Sequence, residues 1–266
     1  MDFLLECIGF PPDQDLDELI ALVCERGESV AWRGPEGTHL RYPLGGGLEI
    51  RLDREPDQEH WSMWPYFQVD HRLRVAVEEV REVHGSPFDA FLIGRANPGV
   101  PEILGQTPDG PADGYMLSTY LCDARRLPRD LTRGRVLAVS IAGFALDVSY
   151  VGPNEGGADR EVLERPRGAW FSPLGGEHDP GGCMEVSLRV RSLRHLENPI
   201  TGARVDLLEA DAPGRPIPLF VSKWQLASDG VEEPRPGWRI EGVFVFTGRI
   251  AGGLSKPPPR VRQHFG

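Results

Sequence analysis

The strictest constraint on the fold is the alternation of side chains in residues 184–191, MEVSLRVR. Apolar Met184, Val186, Leu188 and Val190 interleave with polar side chains, which is the period of two that a half-buried strand requires. The turn NPITG follows, then the run ARVDLLEA, a second turn PGRP and the apolar run IPLFVS. A helix would scatter these apolar positions around its axis, so this part of the chain is predicted to form a sheet.

The last apolar stretch, WRIEGVFVFTGRI, continues the pattern. It places five large side chains on one face and predicts that the two phenylalanines point inward: Trp238, Ile240, Phe244, Phe246 and Ile250. About four strands, with a short KWQL segment between the third and the fourth and with glycines at bends, favour a small closed barrel. We therefore predict a barrel of the oligonucleotide/oligosaccharide-binding (OB-like) type over residues 169–252.

The first third of the chain mixes helical and strand patterns. FLLECIGF is interpreted as a strand, and DLDELIALVCER as a helix capped by Asp13 or Asp15. A meander of strands follows, and residues 72–83 fit either a strand or a helix. Farther along, VLAVSIAGFALDVSYV is predicted to be a hairpin about the Ala142–Gly143 step.

The predicted fold class is therefore α+β, with four regions along the chain. An N-terminal strand–helix–meander module takes residues 1–95, a central β-rich connecting region 96–168, the OB-like barrel 169–252 and a basic, proline-rich tail 253–266. With 32 Gly and 25 Pro among 266 residues, the composition favours short strands and turns over long helices. The polar stretch 152–168 is the best candidate for a boundary.

Charge and cysteine usage indicate a soluble cytoplasmic protein. The net charge of −11 lies almost entirely in residues 1–100, which makes that region a poor surface for phosphate backbones and nucleic acid an unfavourable partner. The sequence shows no membrane-spanning run and no secretory signal pattern, so we expect no membrane association. The scattered cysteines are interpreted as reduced thiols: Cys7, Cys24, Cys122 and Cys183.

The densest aromatic cluster, HWSMWPYFQVDH, is the candidate ligand pocket. Its residues are Trp61, Trp64, Tyr66, Phe67 and His71. Aromatic rings of this kind line pockets for planar or apolar ligands, and they equally form ordinary core packing. Both interpretations remain open, with packing favoured.

Two further groups of residues are candidate sites. His178, Asp179 and Cys183 are weak zinc-ligand candidates, because a polar turn explains their proximity equally well. Arg189, Arg191 and Arg194 form a candidate nucleic-acid surface, although Asp206 or Glu209 on the next strand would pair with them.

Catalytic signals are weaker still. Glu6 and Glu49 stand roughly where a glyoxalase-type metal module would need ligands, but the second half of the chain does not repeat the pattern. Nucleophile, phosphate-loop and zinc-protease motifs are absent from the sequence. No cofactor and no catalytic residue is therefore predicted.

The segments FLLECIGF, SPLGG, NPITG and PRPGWRIEGVFVFTGRI resemble a family of uncharacterised bacterial proteins, a domain of unknown function found mainly in Firmicutes. Its members begin with an FLRxIGF-like strand and end with an N-x-x-TG turn and a glycine-punctuated strand. This chain differs in its shorter polar stretch at 152–168. The resemblance implies a shared fold and carries no activity or site residue across.

From these observations we expect a non-enzymatic binding or scaffold protein, with a protein partner or self-association. The alternatives are a small-ligand binder or metal-dependent enzyme that uses the aromatic cluster, and a barrel that binds single-stranded nucleic acid. The tail SKPPPRVRQHFG carries Lys256, Arg260 and Arg262 without an acidic residue. This composition fits two alternatives: the tail docks on an acidic surface, or it is a chain terminus that packs against nothing.

Overall fold

The computed structural model describes residues 2–30, 33, 37–97, 114–128, 130–151, 169–174 and 182–251. The helices are α1 (Asp2–Glu6), α2 (Leu16–Arg26) and α3 (Lys223–Ser228), with a 3-10 turn at Ala124–Arg126. The first strands are β1 (Glu28–Ser29), β2 (Thr38–Gly45), β3 (Leu48–Arg54), β4 (Ser62–Phe67), β5 (Leu73–Val83), β6 (Ser86–Ala96) and β7 (Tyr115–Leu121). The remaining strands are β8 (Val136–Val151), β9 (Trp170–Pro173), β10 (Cys183–Glu197), β11 (Arg204–Asp211), β12 (Ile217–Val221) and β13 (Arg239–Ile250).

The N-terminal segment is helical, so its interpretation as a strand was wrong. Short apolar runs fit either structure, and here α1 buries Leu4 and Leu5 in the main core. The NPITG turn fixes the chain directly after this helix. Asn198 donates from Nδ2 to the Ile8 carbonyl at 2.8 Å, and Thr201 donates from its hydroxyl to the Gly9 carbonyl at 2.7 Å.

Helix α2 forms as predicted and is capped by Asp15. Its carboxylate accepts hydrogen bonds from the backbone N–H groups of Asp17 and Glu18, and Leu19 and Val23 are the buried face of the helix. The helix is followed by a four-stranded antiparallel sheet in the order β1–β2–β3–β4, which we call the small sheet.

The other nine strands form one large mixed sheet whose pairings close two circuits. The first circuit is β8–β5–β6–β7–β13 and returns to β8, while the second is β8–β12–β11–β10–β13 and returns to β8. The antiparallel pair β8–β13 belongs to both circuits. It is the longest ladder of the large sheet and runs from Arg239↔Val151 to Ile250↔Val139. We call this pair the shared ladder.

The two circuits repeat the same order of elements. In each, three consecutive antiparallel strands lead through a short helical turn to one strand of the shared ladder: β5–β6–β7–β8 and β10–β11–β12–β13. In each, the third strand runs parallel to the ladder strand of the other repeat, because β7 pairs with β13 and β12 pairs with β8. The sequence gives no hint of this duplication, since the repeated topology is carried by different residues.

Strand β8 is continuous over 16 residues, so the hairpin predicted at Ala142–Gly143 was wrong. A glycine is needed at position 143 because of packing and not because of a turn. A Cβ on Gly143 would lie 2.6 Å from Leu219 Cδ2, where β12 approaches β8. Gly248 holds the matching position on β13 beside β7, and a Cβ there would lie 2.9 Å from the Ser140 carbonyl oxygen. Residues 73–83, left open above, form strand β5.

The main core lies between the small sheet, the helices and both circuits. Phe244 and Phe246 are fully buried, which confirms their predicted inward direction. The α+β class is confirmed, with strands dominating. The large sheet draws strands from three of the predicted regions, and the domain division stays a prediction. Across the described parts of the chain, no helix has the length and apolar character needed to span a bilayer.

Candidate functional site

The candidate site forms where the polar face of β3 is pressed against the large sheet. In LEIRLDR, Leu48, Ile50 and Leu52 enter the main core, and the alternate residues Glu49, Arg51 and Asp53 point the other way. That second face is buried too. A charged side chain removed from water must be paired, so every one of these groups needs a partner across the interface.

Arg33 is the central cation of this interface and is 1% exposed. Its guanidinium lies 3.1 Å from Asp53 Oδ1 and forms an ion pair with Asp89 of β6. It also donates from Nη2 to the carbonyl oxygen of Cys122 at 2.8 Å. Arg33 thereby joins the small sheet to strand β6 and to the end of β7.

His39 continues the network on the other side of Asp53. Its Nδ1 lies 2.9 Å from Asp53 Oδ1, its Nε2 lies 3.8 Å from Glu55 Oε2, and its ring packs edge-on against Phe88. The Ser86 hydroxyl lies between the other carboxylates, 2.6 Å from Asp89 Oδ2 and 3.4 Å from Glu55 Oε1. Three carboxylates therefore converge around one guanidinium and one imidazole.

A cavity of about 320 Å³ opens beside these carboxylates. Asp53, Glu55 and Asp89 form its polar floor. Its walls are aromatic and aliphatic side chains from both sheets: Trp64, Val83, Phe91, Tyr120 and Val245. Trp64 stacks on Tyr120 with ring centroids 4.5 Å apart, and Phe91 meets Tyr120 edge-on, so the aromatic wall is held in place by its own contacts.

Burial shifts the protonation of several groups at this site. Burial raises the pKa of Glu55 above its ordinary value, although His39 and Arg33 partly oppose the shift. The pKa of the Tyr120 hydroxyl is raised well above its usual range by burial and by the neighbouring Asp89. Burial lowers the pKa of Arg33, but Asp89 and Asp53 more than offset this, so the guanidinium stays charged.

The predicted aromatic cluster is divided between different places. Trp64 lines the cavity and Tyr66 packs nearby, beneath the Arg249 guanidinium at 4.8 Å. Phe67 points to the opposite face of β4 and, together with His71, lines a separate recess of about 90 Å³. Trp61 lies outside both, under the Arg54 guanidinium. This splitting follows from strand alternation, because neighbouring residues of a strand face opposite sides.

The candidate arginines lie on the exposed side of β10. Arg189, Arg191 and Arg194 are exposed, and Arg194 lies 3.7 Å from Glu209, one of the partners expected for them. The other expected partner, Asp206, contacts His195 at 2.8 Å and Arg204 at 3.1 Å.

Of the three zinc-ligand candidates, Cys183 alone falls within the described residues. His178 and Asp179 lie outside the described residues, while Cys183 lines the cavity. Glu6 accepts a hydrogen bond from Ser222, and Glu49 pairs with Arg51. Over the described ranges, no group of three His, Cys, Asp or Glu side chains is placed to hold a metal ion.

Sequence reasoning missed most of the site. Its residues form no motif and come from distant parts of the chain: Arg33, His39, Asp53, Glu55, Asp89 and Tyr120. The sequence does contain one signal of the site. In strand β3 the charged residues Glu49, Arg51 and Asp53 alternate with residues that form a fully apolar face. That pattern was compatible with a solvent-exposed face. No family model matches the chain, and comparisons with curated proteins and with solved structures find no match either. The resemblance to the Firmicutes family stays a prediction.

Proposed function

We propose that this chain is a non-enzymatic binding protein whose cavity takes a small organic cation with a flat apolar group. The observation that carries the proposal is the combination of a floor of three carboxylates with walls of stacked aromatic rings. Pockets that bind small molecules have this composition, an apolar lining with a few converging polar groups.

The charge of the floor supports a cationic ligand. Asp53, Glu55 and Asp89 face one permanently charged group, Arg33. Burial penalises the ionised carboxylates, as the raised pKa of Glu55 indicates. A bound ammonium, amidinium or guanidinium group would supply the missing positive charge, and its N–H groups would donate to carboxylate oxygens that have further acceptor capacity.

The walls support a flat ligand. Rings such as Trp64 and Tyr120 attract cations over their faces and planar groups alongside them. A volume of about 320 Å³ is at the small end of ligand pockets and suits a single ring system with its charged substituent. Because His39 and Arg33 are already held by carboxylates, the floor is preorganised, which lowers the cost of binding.

A pair of probes with the same ring and opposite charge tests this proposal. We expect benzamidine at millimolar concentration to raise the melting temperature of the full chain at pH 7.5, whereas benzoate leaves it unchanged. The Glu55→Gln and Asp89→Asn variants should lose most of the benzamidine effect. Glu79→Gln removes an exposed carboxylate of β5 outside the cavity, so it serves as the matched control.

Two results would count against the proposal. Equal stabilisation by benzoate would show that the floor does not select positive charge. Failure of benzamidine and of a panel of aryl-alkyl amines and guanidines to shift the melting temperature at 10 mM, a concentration that half-saturates a site with a binding free energy of about −2.7 kcal/mol, would remove the cation from consideration.

We further propose that the second circuit is an OB-like barrel. Two observations support this: the pairings of its five strands form a circuit, and the short helix α3 lies between β12 and β13. The fifth strand is β8, which comes from outside the region 169–252. The two circuits would then be a pair of such barrels that exchange strands through the shared ladder.

A further inference from the structure

A further recess, which we call the groove, lies beside Leu146 of β8. Its volume is about 320 Å³. Phe3 and Leu146 are the large apolar side chains that the described residues leave exposed, at 70% and 38%, and both line the groove. The remaining lining residues are Glu6, Pro12, Trp224, Gln225, Ser228 and Asp229. Apolar side chains concentrated in one recess mark a binding surface more strongly than scattered ones do.

Hydrogen bonds hold the groove in shape. Gln225 donates from Nε2 to the Leu146 carbonyl at 2.7 Å, which ties α3 to β8. The Ser222 hydroxyl donates to Glu6 Oε2 at 2.9 Å and accepts from the Gln225 backbone N–H at 3.1 Å. The three elements that line the groove are therefore fixed to one another before anything binds.

The groove is negatively charged. Among the described residues that line it, Glu6 and Asp229 are the ionisable ones, and no basic side chain is among them. Lys223 lies beside it, with its ammonium 4.5 Å from the centroid of the Trp224 ring. An occupant that matches the groove must combine apolar groups with positive charge.

We propose that the groove binds the chain's own segment 252–266, GGLSKPPPRVRQHFG, through the proline run 257–259. This run is flanked by Lys256 and Arg260, and the whole segment contains no acidic residue. Proline runs adopt a stiff extended helix that docks in grooves lined by aromatic rings at little entropic cost. The prolines would contact Phe3 and Trp224, and the flanking cations would pair with Glu6 and Asp229.

The distance along the sheet matches the length of the segment. Ala251 is held at the Val139 end of the ladder, where its backbone N–H donates to the Ala138 carbonyl at 2.8 Å. Leu146 lies seven residues farther along β8 than Val139, a distance of about 23 Å. Six to eight extended residues beyond Ala251 reach the proline run and span roughly 19–26 Å.

Carbodiimide cross-linking of the full chain tests this directly, because the sequence contains two lysines, Lys223 and Lys256. The reagent joins an amine to a carboxylate that lies in contact with it. We expect mass spectrometry to find Lys256 linked to Glu6 or Asp229, and a mixture of ¹⁴N- and ¹⁵N-labelled protein to place both ends of the link in one chain. Links of Lys256 to scattered carboxylates, or none at all, would overturn the proposal. Links between chains would assign the groove to a second copy instead.

Fluorine NMR of protein labelled with 5-fluorotryptophan gives an independent measurement. The Trp224 signal, identified with Trp224→Phe, should move when Lys256 and Arg260 are replaced by Glu, and it should move the same way in 0.5 M salt. Asp229→Asn should reproduce part of the shift, while Glu232→Gln, an exposed carboxylate beyond α3, should not. If the chemical shift of the Trp224 signal stays the same under all of these changes, the groove is empty in the wild-type chain.

Discussion

At the scale of single residues, Arg33 is the group on which the site depends. Two buried carboxylates, Asp53 and Asp89, contact its guanidinium, and each would be left buried without its cation if Arg33 were lost. Leaving a buried charge unpaired is far more costly than losing a pair at the surface, because water cannot replace the missing partner.

We therefore expect Arg33→Met to lower the free energy of unfolding by about 3–5 kcal/mol. The control is Arg133→Met, which breaks a surface pair with Glu78 and should cost less than about 1 kcal/mol. Urea unfolding of the two variants measures both values. Similar losses in the two variants would show that the buried network contributes no more than a surface pair.

Glu55 makes the stability of the molecule depend on pH. Its pKa in the folded protein is raised, so the folded state keeps the proton longer than the unfolded state does, and stability falls as pH rises from the ordinary glutamate value through the raised one. Glu55→Gln removes this loss. The melting temperature of the variant, measured relative to that of the wild type, should therefore increase as the pH rises from 4 to 7. A difference that stays constant over this range would show that Glu55 does not titrate in the folded state with a raised pKa.

At the scale of elements, Gly143 lets β12 approach the shared ladder closely, and Gly248 lets the two strands of the ladder approach each other. A Cβ at either position meets another group within 3.0 Å, so alanine forces neighbouring atoms to move. We expect Gly143→Ala and Gly248→Ala each to destabilise the protein by about 1–3 kcal/mol. Ser149→Ala, on the exposed side of β8, is the matched control and should change stability by less than about 0.5 kcal/mol. Thermal unfolding of the three variants provides the comparison.

The elements also show what the sequence reveals and what it leaves hidden. The alternation in β10 and β13 predicted their strands and the buried side of each, because one face of each strand meets the core. Gly143 was interpreted as a turn, since its packing against Leu219 depends on a strand that lies more than 70 residues away. The cavity was hidden for the same reason. Asp53 and Asp89 resemble surface residues until the small sheet is packed on β6.

At the scale of the whole molecule, the shared ladder makes the two circuits depend on each other. Neither circuit can open at β8 or β13 without opening the other. We expect a single cooperative unfolding transition, in which β6 of one circuit and β11 of the other exchange their amide hydrogens with the same opening free energy.

A substitution in the ladder sharpens this test. Phe246→Ala removes a fully buried ring and should lower the opening free energy of β6 and of β11 by the same amount, about 3–5 kcal/mol. Hydrogen-exchange mass spectrometry of the two strands measures the effect. A loss confined to one strand would show that the circuits unfold separately despite their common pair.

The spacing of the ladder strands along the chain also governs how the protein is made. Strand β8 ends at Val151 and its main partner begins at Arg239, so 87 residues must be translated between them. At 5–20 residues per second, a ribosome leaves β8 waiting for about 4–17 s. During that interval an apolar 16-residue strand has its longest edge unpaired, so the nascent chain is open to pairing with the strand edges of other chains until β13 is made.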